Sequence, residues 1–298
     1  MINASLDELL ALRGAARGLR LQARRPTHTP HSGSHRSTQR GRGLEFQEVR
    51  PYVVGDDPRT IDWRVTARRG KPHTKLFREE RERPVWLLVD LNGGMFFGTR
   101  RQLKSTVVVR AAALLAWSAA LAGDRVGAVV VGSSDYRITP PRGREAGVLP
   151  VLASLLEMQP RAPAPASDSL SIGLKALAPI IHPGSLVLVL SDYASLGADA
   201  DPQWATLALH NEFRLFSVTD PLERDGLPDG QFRISLAGRS LSIDGAGIRS
   251  AWKDKWRDRQ ARIEALADRL MAPVTQLDTS ELVESVLQAQ LAGRRTAA

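Results

Sequence analysis

At 85–89 the chain reads VWLLV, five apolar residues without polar alternation, as expected of a strand covered on both faces. Comparable runs recur at 126–131 and 186–190, and shorter segments at 215–218 and 274–277 read as further strands. Between and after them, apolar residues return at three- and four-residue steps over 103–122, 148–158, 170–177, 204–210, 249–270 and 279–291, which predicts helices. Strands alternating with helices of this length predict an α/β fold, a mostly parallel sheet with helices on both faces. Two other textures interrupt the alternation. Phe232, Ile234 and Leu236 alternate with polar residues, as do Leu241 and Ile243, predicting a hairpin. Residues 44–77 read as short extended pieces around the turn cluster Gly55-Asp56-Asp57-Pro58, with Ile61, Trp63 and Val65 alternating like a half-buried strand. Both pieces carry an apolar face that needs a cover, so they are expected to pack together. Near the start, Ser5 and Glu8 form a capping-box pattern ahead of Leu6, Leu9, Leu12, Ala16 and Leu19. The expected organisation is a basic N-terminal helix and linker (1–43), a β-rich subdomain (44–83) joined by the hairpin 230–245, and an α/β domain (84–292).

Composition narrows the chemistry. The 298 residues contain no cysteine, which excludes disulfides, thiolate metal sites and a cysteine nucleophile. The net charge of +9 is concentrated early: residues 1–84 hold 18 Lys/Arg against 10 Asp/Glu, and residues 85–298 hold 23 against 22. Eight arginines and no acid lie between Leu9 and Leu44. Such a run is either solvated surface or an arm for an anionic partner. No aromatic residue between Met1 and Phe46 offers a stacking platform, which disfavours nucleic acid. His28, His31 and His35 lie in the same cationic stretch without a carboxylate, which opposes a metal there. The apolar stretch 106–122 is interrupted by Arg110 and ends at Gly123-Asp124, which reads as too short and too charged for a membrane span. The start MINASLDELL has no secretory pattern. The expectation is a cytoplasmic protein without a transmembrane segment, leaving surface contact with a membrane to the basic segment.

In a doubly wound sheet, ligands sit beyond the carboxyl ends of strands where the strand order reverses. Two of the apolar runs end in aspartate, at Asp90 and Asp192, so chemistry is sought there. The chain has no Walker-type phosphate loop, no Gly-x-Gly-x-x-Gly after a strand and no Gly-x-Ser-x-Gly elbow, so no residue set names a reaction and no enzyme is expected.

The block 43–63, GLEFQEVRPYVVGDDPRTIDW, resembles the signature of domain-of-unknown-function family 58 (DUF 58) at Glu45, Phe46, Arg50, Tyr52, Gly55, Asp56, Asp57, Arg59, Ile61, Asp62 and Trp63. Ala67-Arg68, Lys75, Phe77, Glu79-Glu80-Arg81, Gly123-Asp124-Arg125-Val126-Gly127 and Ser191-Asp192 fit the same family, and the resemblance spans about residues 33–292. It implies a von Willebrand factor A-like domain with a β-rich insertion. It also implies partnership with a MoxR-type AAA+ ATPase and associated von Willebrand A proteins in bacteria. Many relatives carry two transmembrane helices ahead of the signature, and this chain resembles the shorter variety without them.

Such domains typically hold a divalent cation in a metal-ion-dependent adhesion site, with an Asp-x-Ser-x-Ser loop, a threonine loop and a later aspartate. Here Asp90 and Asp192 match, Asn92 and Gly94 replace the two serines, and Gly94 offers no side-chain ligand. The segment 167–171 stands where the threonine loop belongs, with Ser169 as candidate ligand and no single threonine equivalent. The resemblance therefore implies a degenerate site that holds Mg²⁺ weakly or not at all, since hard cations need oxygen ligands. Without a cation the two aspartates repel, which calls for a proton or an arginine partner. Arg50, Tyr52, Gly55, Asp56, Asp57, Arg59, Asp62 and Trp63 are expected either to fix their own loop or to dock a partner, Tyr52 and Trp63 being the docking candidates. The leading reading is a non-catalytic interaction module for the ATPase. The alternatives are a metal-dependent, hydrolase-like enzyme at the same cleft and a basic-arm binder of nucleic acid or membrane surface.

Overall fold

The computed structural model describes residues 3–21, 44–53, 56, 58–79, 83–164, 168–197, 202–236 and 239–291. It divides into two compact units, Met1–Thr27 with Arg83–Ala298, and His28–Glu82. The expected linker 26–43, with His28, His31 and His35, lies outside the described residues, as do Gly55 and Asp57.

Helix α1 (Leu6–Ala16) starts on the anticipated capping box: Glu8 N donates to Ser5 Oγ (3.3 Å) and Ser5 N donates to Glu8 Oε2 (3.1 Å). Its apolar stripe, Leu9, Leu12 and Ala16, is buried within the larger unit rather than standing apart with the basic linker.

In the smaller unit, β1 (Leu44–Pro51) pairs antiparallel with a strand that closes the unit, Arg50 lying opposite Thr74. The expected strand through Trp63 is instead helix α2 (Trp63–Arg69). Asp62 Oδ1 accepts from Arg64 N (3.0 Å) and Val65 N (3.1 Å), capturing amides that a strand would offer to a neighbour. Gly70, at φ 70°, closes the helix in the left-handed conformation. Ile61 alone keeps β character, through an isolated bridge to Thr74 in β2 (His73–Glu79). Trp63 is left 70% exposed, the reverse of the half-buried side chain its alternation predicts.

The larger unit carries β3 (Pro84–Asp90), α3 (Lys104–Leu121), β4 (Arg125–Val131), β5 (Tyr136–Gly143), α4 (Glu145–Met158), α5 (Ser169–Leu177), β6 (Leu186–Ser191), α6 (Gln203–Ala208), β7 (Glu212–Thr219), α7 (Pro221–Asp225), β8 (Gln231–Leu236), β9 (Arg239–Asp244), α8 (Gly245–Leu270), β10 (Val274–Asp278) and α9 (Val283–Leu291). Its six-stranded sheet runs β10-β7-β6-β3-β4-β5, parallel except for the edge strand β5. The mostly parallel α/β sheet expected from the sequence is the one observed. The continuous VWLLV run has a simple cause: Val85, Leu87 and Val89 face one core, with α1, α3, α4 and α9, and Trp86 and Leu88 face the other, with α5, α6 and α8. Helix α5 rests on the sheet at Gly173, where a Cβ would come within 2.5 Å of Leu88 and 2.8 Å of Val131.

Helix α3 is, among the described residues, the one helix long and apolar enough to cross a membrane, contrary to the reading that it is too short and too charged. Fifteen of its 18 residues are buried inside the fold, which explains that composition as a central core helix. The expected hairpin is present as β8 and β9, but it belongs to the larger unit rather than to the segment 44–83. Its base is tied by Gly245 N to Gly230 O (2.9 Å), and it leads directly into α8, capped by Asp244.

Candidate functional site

The chain runs from β3 outward to β4 and β5, then returns to place β6 on the other side of β3. The strand order therefore reverses between β3 and β6, and Asp90 and Asp192 converge at their carboxyl ends. Both are buried. Asp90 Oδ1 accepts from Asn92 N (3.1 Å) and Asn92 Nδ2 (2.7 Å), and its Oδ2 accepts from Ser191 Oγ (2.7 Å). Asn92 Nδ2 also donates to Ser169 Oγ (3.2 Å), the buried first residue of α5. The amide oxygen of Asn92 faces away, accepting from Gly94 N (2.8 Å). Because Gly94 N–H can only donate, it fixes which end of the Asn92 amide points at Asp90. All four anticipated residues, Asp90, Asn92, Ser169 and Asp192, belong to this site.

The residue that sequence reasoning missed is Lys104. Its Nζ is 2.5 Å from Asp192 Oδ2 and 3.0 Å from Glu223 Oε1, with a side chain only 2% exposed. Phe97 lies beneath it, ring centroid 5.7 Å from Nζ. Lys104 is the first residue of α3, where the helix dipole disfavours a cation. A lone lysine opening an apolar helix was the available signal. Glu223 is fixed in turn, since Asp220 N donates to its Oε2 (3.3 Å) in a capping box on α7, and Arg259 Nη1 lies 3.3 Å from Oε1. That Asp-Pro-x-Glu signature was also legible.

The charges follow from this geometry. Burial and the Asp192 charge push the Asp90 carboxyl up, against the hydrogen bonds from Ser191 and Asn92. Burial would raise Asp192 too, but the Lys104 ammonium, aided by Ala194 N–H and Arg259, holds it below the usual carboxylate value. Burial would lower Lys104, yet Asp192 and Glu223 together hold its ammonium above the ordinary lysine value. The counter-charge beside the paired aspartates is thus chiefly a lysine, with the expected arginine, Arg259, in a supporting place.

These side chains do not fit the divalent cation that the resemblance implied. The Asn92 oxygen is turned away, Asp90 and Asp192 spend both oxygens on protein donors, and an ammonium stands against Asp192 and Glu223. Among the described residues, no group of three or more His, Cys, Asp or Glu is placed to hold a metal ion.

The signature residues belong to the smaller unit. Arg50 Nη2 donates to Asp56 Oδ1 (2.7 Å), Val53 N donates to Asp56 Oδ2 (3.0 Å) and Tyr52 Oη donates to Asp56 O (3.2 Å). The Arg50 hydrogen bond, with that of Val53 N–H, lowers the Asp56 carboxyl. Asp62 caps α2, Arg59 lies in the exposed turn Pro58–Thr60, and Trp63 projects outward.

The larger unit is a doubly wound α/β domain with an ion-paired switch point. The chain belongs to the family described as "Protein of unknown function DUF58", whose model matches residues 48–262. Uncharacterised proteins of Mycobacterium tuberculosis (strain H37Rv) and Mycobacterium bovis are each 30% identical to it over 229 residues, 77% of this chain and 71% of theirs. Similar solved structures include BatB from Bacteroides thetaiotaomicron, at TM-score 0.43 and 11% identity, covering 70% of this chain and 96% of that one. An aerotolerance-related membrane protein from Bacteroides fragilis has TM-score 0.44 and 14% identity over 70% and 98%. A von Willebrand factor type A protein from Catenulispora acidiphila has TM-score 0.41 and 8% identity over 74% and 44%.

Proposed function

We propose that the chain is a non-catalytic protein-docking module, acting in the cytoplasm as adaptor or assembly partner of a MoxR-type AAA+ ATPase. The ATPase is the partner that the family resemblance implies. The observation that carries the docking role is a cleft of about 370 Å³ beside the switch point, lined by Phe97, Trp252, Trp256, Lys255 and Arg259 together with Lys104 and Glu223. Trp252 and Trp256 stand one turn apart on α8, and Trp252 Nε1 donates to Glu223 O (2.9 Å). Half-buried aromatics flanked by cations are the composition of binding hot spots. Glu223 is already held by Lys104 and Arg259, so an entering segment meets the exposed Lys255 as a positive charge. The fitting ligand is an acidic segment of the ATPase with a bulky apolar side chain. Asp90, Asp192 and Glu223 are engaged by protein donors, which favours docking over acid–base chemistry.

Calorimetry of the full chain with the ATPase tests the reading. Trp256→Ala is expected to weaken binding about 30-fold, a hot-spot loss of ~2 kcal/mol. Lys255→Glu should weaken it as well and flatten its salt dependence. Unchanged affinity in both folded variants, or binding lost only on deleting residues 22–43, rejects the cleft.

A further inference from the structure

We propose that Lys104 is the resident cation of the switch-point site: its ammonium stands in the place of a divalent ion, and the site is charge-balanced by the chain itself. The inference concerns the electrostatics of the site and stands whether or not the cleft docks a partner.

Three observations carry it. First, the ammonium contacts two carboxylates from different elements, Asp192 after β6 at 2.5 Å and Glu223 on α7 at 3.0 Å. That is what an oxygen-seeking ion does, and Mg²⁺ is itself commonly held by one or two carboxylates with water completing its shell. Second, the lysine is committed to this position. It is 2% exposed, it opens a helix whose dipole opposes it, and Phe97 lies against it, so it cannot swing into solvent as a surface lysine would. Third, the neighbouring groups are arranged for a site that is already full. Asn92 presents its NH₂ to Asp90 and its oxygen to Gly94 N, and Ser191 Oγ donates to Asp90. These donors satisfy Asp90 without a cation. A metal at the same point would meet the fixed ammonium at close range and find both acidic partners taken.

Two consequences are observable. The native chain is indifferent to divalent ions and to chelators. Removing the ammonium while keeping the acids leaves Asp192 and Glu223 facing each other with an open position between them, the start of a hard-cation site.

The test uses the full chain and three variants, Lys104→Ala, Lys104→Arg and Lys104→Ala with Asp192→Asn, titrated calorimetrically with Mg²⁺ and Mn²⁺ and melted in either ion or in EDTA. The ¹⁵N-labelled lysine side chains of the native chain are followed by NMR. The native chain should melt identically in EDTA and millimolar Mg²⁺ and show one slowly exchanging lysine NH₃⁺ signal that neither ion moves. Lys104→Ala should melt lower in EDTA, recover in Mg²⁺ or Mn²⁺, and bind one ion at least ten times more tightly than the native chain. The double variant should lose that gain, and Lys104→Arg should not acquire it. Micromolar Mg²⁺ or Mn²⁺ binding by the native chain, or loss of the protected NH₃⁺ signal on adding either ion, overturns the proposal, and this arm decides even where Lys104→Ala does not fold. A folded Lys104→Ala with no gain in ion binding overturns it equally.

Discussion

Asp220, at the end of β7, shows how single side chains hold the loops of this site. It is buried, and its oxygens accept from Thr99 N (2.7 Å), Thr99 Oγ1, Thr279 Oγ1 and Leu222 N (2.9 Å), joining three connections. Burial alone would raise the carboxyl, but the Thr279 and Thr99 donors hold it below its ordinary value of 3.8. A carboxyl depressed in the folded state stabilises the fold at neutral pH. That contribution fades as the pH falls from the ordinary carboxyl range through the lower folded value. Asp220→Asn is expected to cost about 2–3 kcal/mol at neutral pH, since charge-assisted bonds are lost and an NH₂ faces donors. It should also lessen the acid sensitivity, measured by urea unfolding from neutral pH to about pH 3. An equally steep acid limb in the variant would reject this role. The residue scale is also where legibility divides. Asp90 and Asp192 could be found because strand ends are visible as the ends of apolar runs. Lys104 and Glu223 could not be paired, because they are 119 residues apart and meet only through the packing of α3 and α7.

At the scale of elements, patterns that report burial survived and patterns shared by two structures did not. The β3 run could hardly be anything but a covered strand, whereas Ile61, Trp63 and Val65 sit two apart in a segment that a cap converts to helix. The deciding features, Asp62 as N-cap and Gly70 past the end, were in the sequence but compete with alternation over so short a window. Trp63→Ala should therefore change stability by less than ~0.5 kcal/mol, as exposed positions do. Asp62→Ala should cost about 1 kcal/mol for the cap, readable as lost α2 protection in hydrogen exchange. A large destabilisation by Trp63→Ala would return that side chain to a buried role. Helix α1 errs in the other direction, since the arginines from Arg13 onward suggest a free arm. Helix and flanks are instead closed on α3 and the end of α4, with Trp117 Nε1 donating to Leu9 O (3.0 Å), Ser118 Oγ to Leu19 O (3.1 Å) and Ala4 N to Gln159 Oε1 (3.0 Å). Leu9 has no exposed surface, so Leu9→Ala should cost about 2–5 kcal/mol in urea unfolding. A loss under ~1 kcal/mol would show that α1 is only loosely held.

For the whole molecule, the path of the chain matters more than any one contact. It enters the larger unit through α1, leaves it to build the smaller unit, and returns at β3. Departure and return are held side by side, since Arg83 Nη2 donates to Leu21 O (2.9 Å) while Arg83 also pairs with Asp124 and Glu212 at 3.5 Å. The departing strand of chain is anchored as well, through Arg20 N to Leu291 O (3.1 Å) and the buried Leu19 and Leu21. Both cores of the larger unit are assembled from its own residues. The smaller unit is thus an insertion between fixed ends, and the larger one should fold without it. Replacing residues 22–82, 61 in all, by a Gly/Ser linker of about six residues, long enough to span ~20 Å, shortens the connection tenfold. That lowers the entropic cost of closing it by up to ~2 kcal/mol. The shortened chain is expected to melt cooperatively within a few degrees of the full one. A broad melt or aggregation would mean that the larger unit depends on the insertion. The same chain separates the two sets of candidate docking residues, because it keeps Trp252, Trp256 and Lys255 and loses Arg50, Tyr52 and Trp63. Undiminished capture of the ATPase by the folded, shortened chain places docking on the cleft. Capture lost with the fold intact transfers it to the signature residues or the basic segment.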